Sequence, residues 1–131
     1  MSDADVNAAH QELNRLAACM AVSSVDVFAA RDQITDEDDL KMLEWISVSI
    51  ASLQDLSAQG NAASLRERPH RHAIRNCLNA IKGSALLLIE GTPGNGLDSS
   101  GAAAREAEAL VTHSDAILAC LDEVRQGVAQ G

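Results

Sequence analysis

The sequence contains few aromatic residues and few residues that interrupt helices. Of its 131 residues, 2% are aromatic, with no Tyr, one Phe and one Trp, and only two are Pro. The apolar fraction of 47% comes mainly from Ala, Leu, Ile and Val, which suit closely packed helices better than a β-sandwich. The composition therefore predicts an all-α fold, and the length fits a single domain over residues 1–131.

The chain also lacks long apolar runs, paired cysteines and a signal-like N-terminus. No run of about 18 apolar residues occurs, so we expect no transmembrane helix and no association with a membrane. Residues 1–5 are acidic rather than basic and apolar, which predicts no signal peptide and a cytoplasmic location. Cys19, Cys77 and Cys120 are widely spaced, so they indicate neither a zinc site nor a disulfide framework.

Positive charge is scarce and unevenly distributed. The net charge of −9 argues against binding to nucleic acid. Five of the ten Lys and Arg residues nevertheless lie within one short segment. These are Arg66, Arg68, Arg71, Arg75 and Lys82. Such a cluster in an acidic chain predicts an anionic ligand or an acidic partner, although charge alone also fits a solvated helix face.

Apolar periodicity predicts four helices in an antiparallel bundle. The predicted segments run from Ala4 to Ala30, from an N-cap at Thr35 to about Gly60, from Ser64 to Glu90, and from Ser100 to Val128. The third helix begins either at a capping box formed by Ser64 and Glu67 or at Pro69, and Gly91 and Pro93 end it. The predicted core positions are Val6, Leu13, Ala17, Met20, Val27, Leu43, Ile46, Ile50, Leu53, Ile74, Leu78, Ile81, Ala85, Leu88, Leu110, Ile117, Leu121 and Val124.

The third helix carries an outer row of polar residues. At about 100° per residue, His72 projects away from the apolar stripe, and Asn76, Asn79 and Gly83 lie on its side of the helix. An exposed imidazole is a competent nucleophile for a phosphoryl group. Neighbouring arginines such as Arg75 can bind phosphate or an acidic partner.

A family resemblance extends this interpretation. The matching residues are His72, Ile74, Arg75, Asn76, Leu78, Ala80, Ile81 and Gly83, in one register within residues 72–88. This stretch resembles the H-box, the phosphoacceptor helix in the dimerisation and histidine-phosphotransfer domain of two-component sensor histidine kinases. The resemblance implies that helices three and four form the family's helical hairpin, that His72 is the phosphoacceptor and that Asn76 positions a water for phosphatase action. Arg75, Asn79 and Gly83 would then form a docking face for a receiver domain, with Arg71 and Lys82 steering it electrostatically.

Two departures from the family pattern keep alternatives open. Ala73 replaces the acid that assists autophosphorylation in the family, and Cys77 replaces a proline. We also find no counterpart of the kinase's ATP-binding domain, so we expect a phosphotransfer intermediate rather than an autonomous kinase. It would bind no cofactor or metal itself, because Mg²⁺ belongs to the partner receiver.

The alternatives are a non-catalytic module that binds and regulates a response regulator or sensor kinase, and a plain helical adaptor. Apolar residues 86–89 surround the third helix, which also suggests a homodimer.

Overall fold

The computed structural model describes residues 1–34, 36–90 and 102–130, and this part of the chain is helical with no strand. Its long helices are α1 (Asp3–Ala29), α2 (Glu37–Gln59), α3 (Arg68–Ile89) and α4 (Ala102–Gln130). Short 3-10 helices at Ala30–Gln33 and Ala62–Arg66 follow α1 and α2. The predicted all-α class is confirmed.

The four helices form a bundle in which each helix packs against its two neighbours, α1 against α2 and α4, and α3 against α2 and α4. Two ion pairs show how α3 and α4 run. Arg75 pairs with Asp122, and Lys82 pairs with Asp115. Moving seven residues forward along α3 (82 − 75) moves the partner seven residues back along α4 (122 − 115). The two helices are therefore antiparallel.

The core contains every apolar position that the periodicity predicted, since all of those side chains are buried. Ile34 and Leu65, which lie outside the long helices, are buried as well. Their side chains belong to the core at the connections from α1 to α2 and from α2 to α3. Ser114 is also fully buried on α4, and its hydroxyl has no hydrogen-bond partner among the described residues.

Side-chain caps define the starts of the first two helices. Ser2 accepts a hydrogen bond from the Asp5 amide, and the Asp5 carboxylate accepts one from the Ser2 amide, so α1 begins at Asp3. The Ser2 hydroxyl and amide lower the pKa of the Asp5 carboxyl. Asp36 caps α2 by accepting from the Asp38 amide at 2.9 Å. The predicted cap, Thr35, lies outside the described residues.

The start of α3 differs from the predicted capping box at Ser64. Ser64 instead takes part in a box with Asn61 that begins the 3-10 helix, and Glu67 precedes Arg68 as the N-cap of α3. Pro69 explains the difference, because a helix continuing from Ser64 would bring the proline ring against the carbonyl of Leu65. The alternative start at Pro69 agrees with the observed start at Arg68 to within one residue, and Pro69 lies in the first turn, where its missing N–H costs little.

The connection between α3 and α4 is only partly described. The predicted stop at Gly91 and Pro93 and the predicted start at Ser100 lie within 91–101, outside the described residues. α3 ends at Ile89, and α4 extends to Gln130, two residues past the predicted end at Val128.

One segment of the described chain, Asp3–Asp32, has the length and apolar composition of a membrane-spanning helix. Its most apolar window has a mean hydropathy of 1.3, and 33% of that window is buried in the bundle. Core helices of soluble proteins satisfy the same criterion, so the expected absence of a transmembrane helix and the cytoplasmic location stay predictions.

Candidate functional site

The polar row predicted on α3 lies on the surface. His72, Asn76, Asn79 and Gly83 are all exposed, while the opposite side of the helix is buried in the core. A Cβ built on Gly83 would meet no atom within 4 Å. Leu87 continues the row at the next turn and is 57% exposed. The row therefore offers a continuous surface that another molecule can approach closely at Gly83.

A cleft opens beside His72 between the beginning of α3 and the end of α4. It has a volume of about 590 Å³. Its lining residues are Arg68, Arg71, His72 and Arg75 from α3 and Asp122 and Arg125 from α4. Four guanidinium groups thus surround the cleft with a single carboxylate among them, and we call it the arginine cleft.

The sequence of α3 places its four lining residues together. Arg68, Arg71, His72 and Arg75 follow the spacing i, i+3, i+4 and i+7, which brings side chains to one side of a helix. Arg68 and Arg71 lie in the first turn of α3, where the helix dipole adds positive potential. Both effects favour a negatively charged group next to the His72 ring.

Two of the arginines are held by the protein. Arg71 donates from Nη1 to the carbonyl oxygen of Leu65 at 2.9 Å. Arg75 donates from Nη2 to Oδ1 of Asp122 at 2.6 Å. Both side chains are therefore oriented by contacts within the protein.

The other two arginines are less constrained. Arg125 has its Nε 3.9 Å from the same Asp122 oxygen that Arg75 contacts, and its side chain is 63% exposed. Arg68 is exposed and makes no ion pair or side-chain hydrogen bond with any described residue. Arg68, and Arg125 with only a long contact to Asp122, can therefore turn toward a bound anion more readily than Arg71 and Arg75.

Lys82, a predicted steering residue, lies outside the arginine cleft. Its Nζ donates to Oδ1 of Asp115 at 2.6 Å. Like the pair between Arg75 and Asp122, this ion pair joins α3 to α4. Partly exposed pairs of this kind contribute roughly 0–1 kcal/mol each, so most of the stability of the contact between α3 and α4 comes from their buried apolar faces.

The two departures from the H-box pattern have structural consequences. Cys77 does not interrupt α3, and the helix is continuous through it. Cys77 is half-buried against the core, and this burial raises the pKa of its thiol. Ala73 puts a small apolar side chain beside His72, so Asp122 is the carboxylate that lines the cleft.

The remaining histidine nearby has a packing role. The ring of His70 lies so close to Gly60 that a Cβ there would come within 2.8 Å of it. Within the described ranges, no group of three or more His, Cys, Asp or Glu side chains is arranged to hold a metal ion.

The sequence interpretation missed the contribution of α4 to this site. Asp122 and Arg125 were not selected, because only the apolar stripe of that helix was considered. Their i, i+3 spacing on a polar face was the available signal. It gains meaning only once the antiparallel packing brings the end of α4 beside the start of α3.

Comparison with known proteins finds no family model, no curated protein and no solved structure that matches this chain.

Proposed function

We propose that this protein is a histidine phosphotransfer protein of a two-component phosphorelay, acting in the cytoplasm. His72 would accept a phosphoryl group from the aspartyl phosphate of one receiver domain and pass it to the aspartate of another. The observation that carries the proposal is the exposed position of His72 on the rim of a cleft with four arginines. The resemblance of residues 72–88 to the H-box supports the same interpretation.

The transfer exchanges one bond for another. A ring nitrogen of His72 attacks the phosphorus atom, the bond from phosphorus to the donor's carboxylate oxygen breaks, and the aspartate leaves as a carboxylate. The ring proton passes to solvent. Catalysis consists mainly of positioning and charge stabilisation, with Mg²⁺ supplied by the receiver. On this chain, Arg68 and the weakly paired, largely exposed Arg125 would be the first guanidinium groups to stabilise the phosphoryl oxygens.

The exposed row would form the docking face. Asn79 and Gly83 are exposed about two and three turns beyond His72, and the open space above Gly83 admits a partner backbone. Asn76 is a candidate for positioning a water that hydrolyses the aspartyl phosphate of the receiver, which would be a separate phosphatase reaction. Arg75 and Lys82 already pair with acids of α4, so their part in docking would require sharing those charges with the partner.

The rival proposal is a non-catalytic module that binds and regulates a receiver or a sensor kinase through the same face. Ala73 favours it, because the acid that assists phosphorylation in the family is absent from α3. The two proposals differ in whether the imidazole of His72 is needed. A His72→Gln variant that still binds and regulates its partner supports the module.

The first test of phosphotransfer is chemical labelling. The protein is treated with phosphoramidate and its intact mass is measured, alongside the variants His72→Ala and His70→Ala. We expect one acid-labile phosphoryl group on the wild type and on His70→Ala, and none on His72→Ala. His70→Ala is the matched control, since it removes a neighbouring imidazole from the same helix. Labelling of His72→Ala at the wild-type level would contradict the proposal.

A second measurement addresses the partner. Receiver domains are screened for binding to the wild type and to Asn79→Arg and Gly83→Arg. Both positions are exposed, so the variants should fold and lose binding. If neither variant weakens binding, the exposed row is not the docking face and a plain helical adaptor becomes the better interpretation.

A further inference from the structure

We propose that the arginine cleft is itself a binding site for a pyrophosphate group, either as free pyrophosphate or as the diphosphate of a nucleotide. This inference goes beyond phosphotransfer and does not depend on it, because the arginines rather than His72 carry it.

The charge of the cleft selects a polyanion. Four guanidinium groups and the Asp122 carboxylate leave a formal excess of three positive charges (4 − 1) in a chain whose net charge is −9. A single phosphate group carries about −1.5 to −2 at neutral pH. One phosphate would therefore leave part of this charge uncompensated, whereas two linked phosphates match it.

The arrangement of the arginines fits a two-part ligand. Arg71 and Arg75 are held in place by Leu65 and Asp122. Arg68 on α3 and Arg125 on α4 have exposed guanidinium groups on the two walls of the cleft. Two phosphates bridging the walls would engage Arg71 and Arg75 together with the more exposed Arg68 and Arg125.

The walls also indicate which part of a nucleotide would be recognised. The six lining residues are all charged or polar, and the imidazole of His72 is the one ring among them. Bases bind mainly by stacking on aromatic side chains, and apart from the His72 ring no aromatic side chain is among these lining residues. The cleft should therefore bind pyrophosphate and a nucleoside diphosphate with similar affinity, because the diphosphate supplies the contacts.

Isothermal titration calorimetry with pyrophosphate, orthophosphate and ADP on the full chain tests the proposal. We expect saturable binding of one pyrophosphate per chain, similar binding of ADP, and weaker binding of orthophosphate. The affinity should fall as the NaCl concentration rises, because the site is partly exposed. Arg68→Ala and Arg125→Ala should each weaken pyrophosphate binding by about tenfold, the effect of losing a charge-assisted contact.

Arg105→Ala is the matched control. Arg105 is exposed on the same helix as Arg125, twenty residues earlier (125 − 105), which corresponds to about 30 Å along α4. The control should bind as the wild type does. Thermal unfolding of each variant checks that folding is retained.

Three outcomes would overturn the proposal. They are the absence of saturable binding at low salt, equal weakening by Arg105→Ala and Arg125→Ala, and binding of ADP but not of pyrophosphate. His72→Ala separates this proposal from phosphotransfer, since it should bind pyrophosphate but cannot be labelled on His72. If that variant binds and the wild type is not labelled, the anion site stands and phosphotransfer fails.

Discussion

Replacing Gly83 by Ala should make the protein more stable. Gly83 lies in the interior of α3, is exposed, and has no atom within 4 Å of where a Cβ would be. The substitution therefore meets no steric cost. It gains the difference in helix propensity between Ala and Gly, about 0.9 kcal/mol, which arises largely from the greater backbone freedom of glycine in the unfolded chain.

The corresponding change in melting temperature follows from the size of the chain. An unfolding entropy of about 2.1 cal/mol/K per residue gives about 0.28 kcal/mol/K for 131 residues. A gain of about 0.9 kcal/mol should thus raise Tm by about 3 °C. Urea and thermal unfolding followed by far-UV circular dichroism would measure both quantities.

Gly60→Ala provides the opposite case. A Cβ at Gly60 would lie 2.8 Å from the His70 ring and 3.2 Å from the Leu56 carbonyl oxygen, so the ring must move. We expect a loss of up to about 1 kcal/mol, below the roughly 1–3 kcal/mol of overpacking in a closed core, because the half-buried His70 ring can turn toward solvent. A neutral or destabilising Gly83→Ala would refute the reasoning, because no steric cost at that position can cancel the gain in helix propensity.

Two further predictions concern buried groups. Ser114→Ala should stabilise the protein by about 1 kcal/mol, because it removes a buried hydroxyl that has no partner among the described residues. The control Ser57→Ala should cost about 1 kcal/mol, because it loses a hydrogen bond to Asn14. Urea unfolding measures both changes, and a loss of stability in Ser114→Ala would contradict the first prediction. Burial raises the pKa of the Cys77 thiol, so its reactive thiolate should be scarce at about pH 8. Iodoacetamide should therefore modify Cys77 more slowly in the folded protein than in the urea-unfolded protein. Equal rates by mass spectrometry would show that this thiol is not protected.

The interior of the bundle could be predicted from the sequence because helical periodicity alone decides it. Positions such as Ile74, Leu78 and Ile81 repeat at intervals that only one face of a helix can satisfy, and all are buried. Helix starts were harder, because several residues compete as caps. Ser64 satisfied a capping pattern locally, yet Pro69 prevented the helix from extending back to it.

The candidate site was predictable only in the part that lies on one helix. His72 and its exposed row follow from the geometry of α3. Asp122 and Arg125 could not be assigned to it, because their approach depends on how α4 aligns with α3, and no local pattern encodes the alignment of two separate helices. The sequence showed only a cluster of basic residues. The structure shows that several of them line a cleft between α3 and α4, next to the exposed row.

The two ion pairs between α3 and α4 also bear on how the chain avoids misfolding. A slide of one helical turn in one direction would set Arg75 opposite Arg125 (122 + 3) instead of Asp122. A slide of one turn in the other direction would set Arg75 opposite Leu118 (122 − 4). The apolar faces by which α3 and α4 pack consist mainly of Leu, Ile and Ala. They discriminate poorly against such slides, since each side chain is replaced by a similar one. The charged pairs make shifted hairpins less favourable than the native one, so they select the native alignment during folding while contributing little to the final stability.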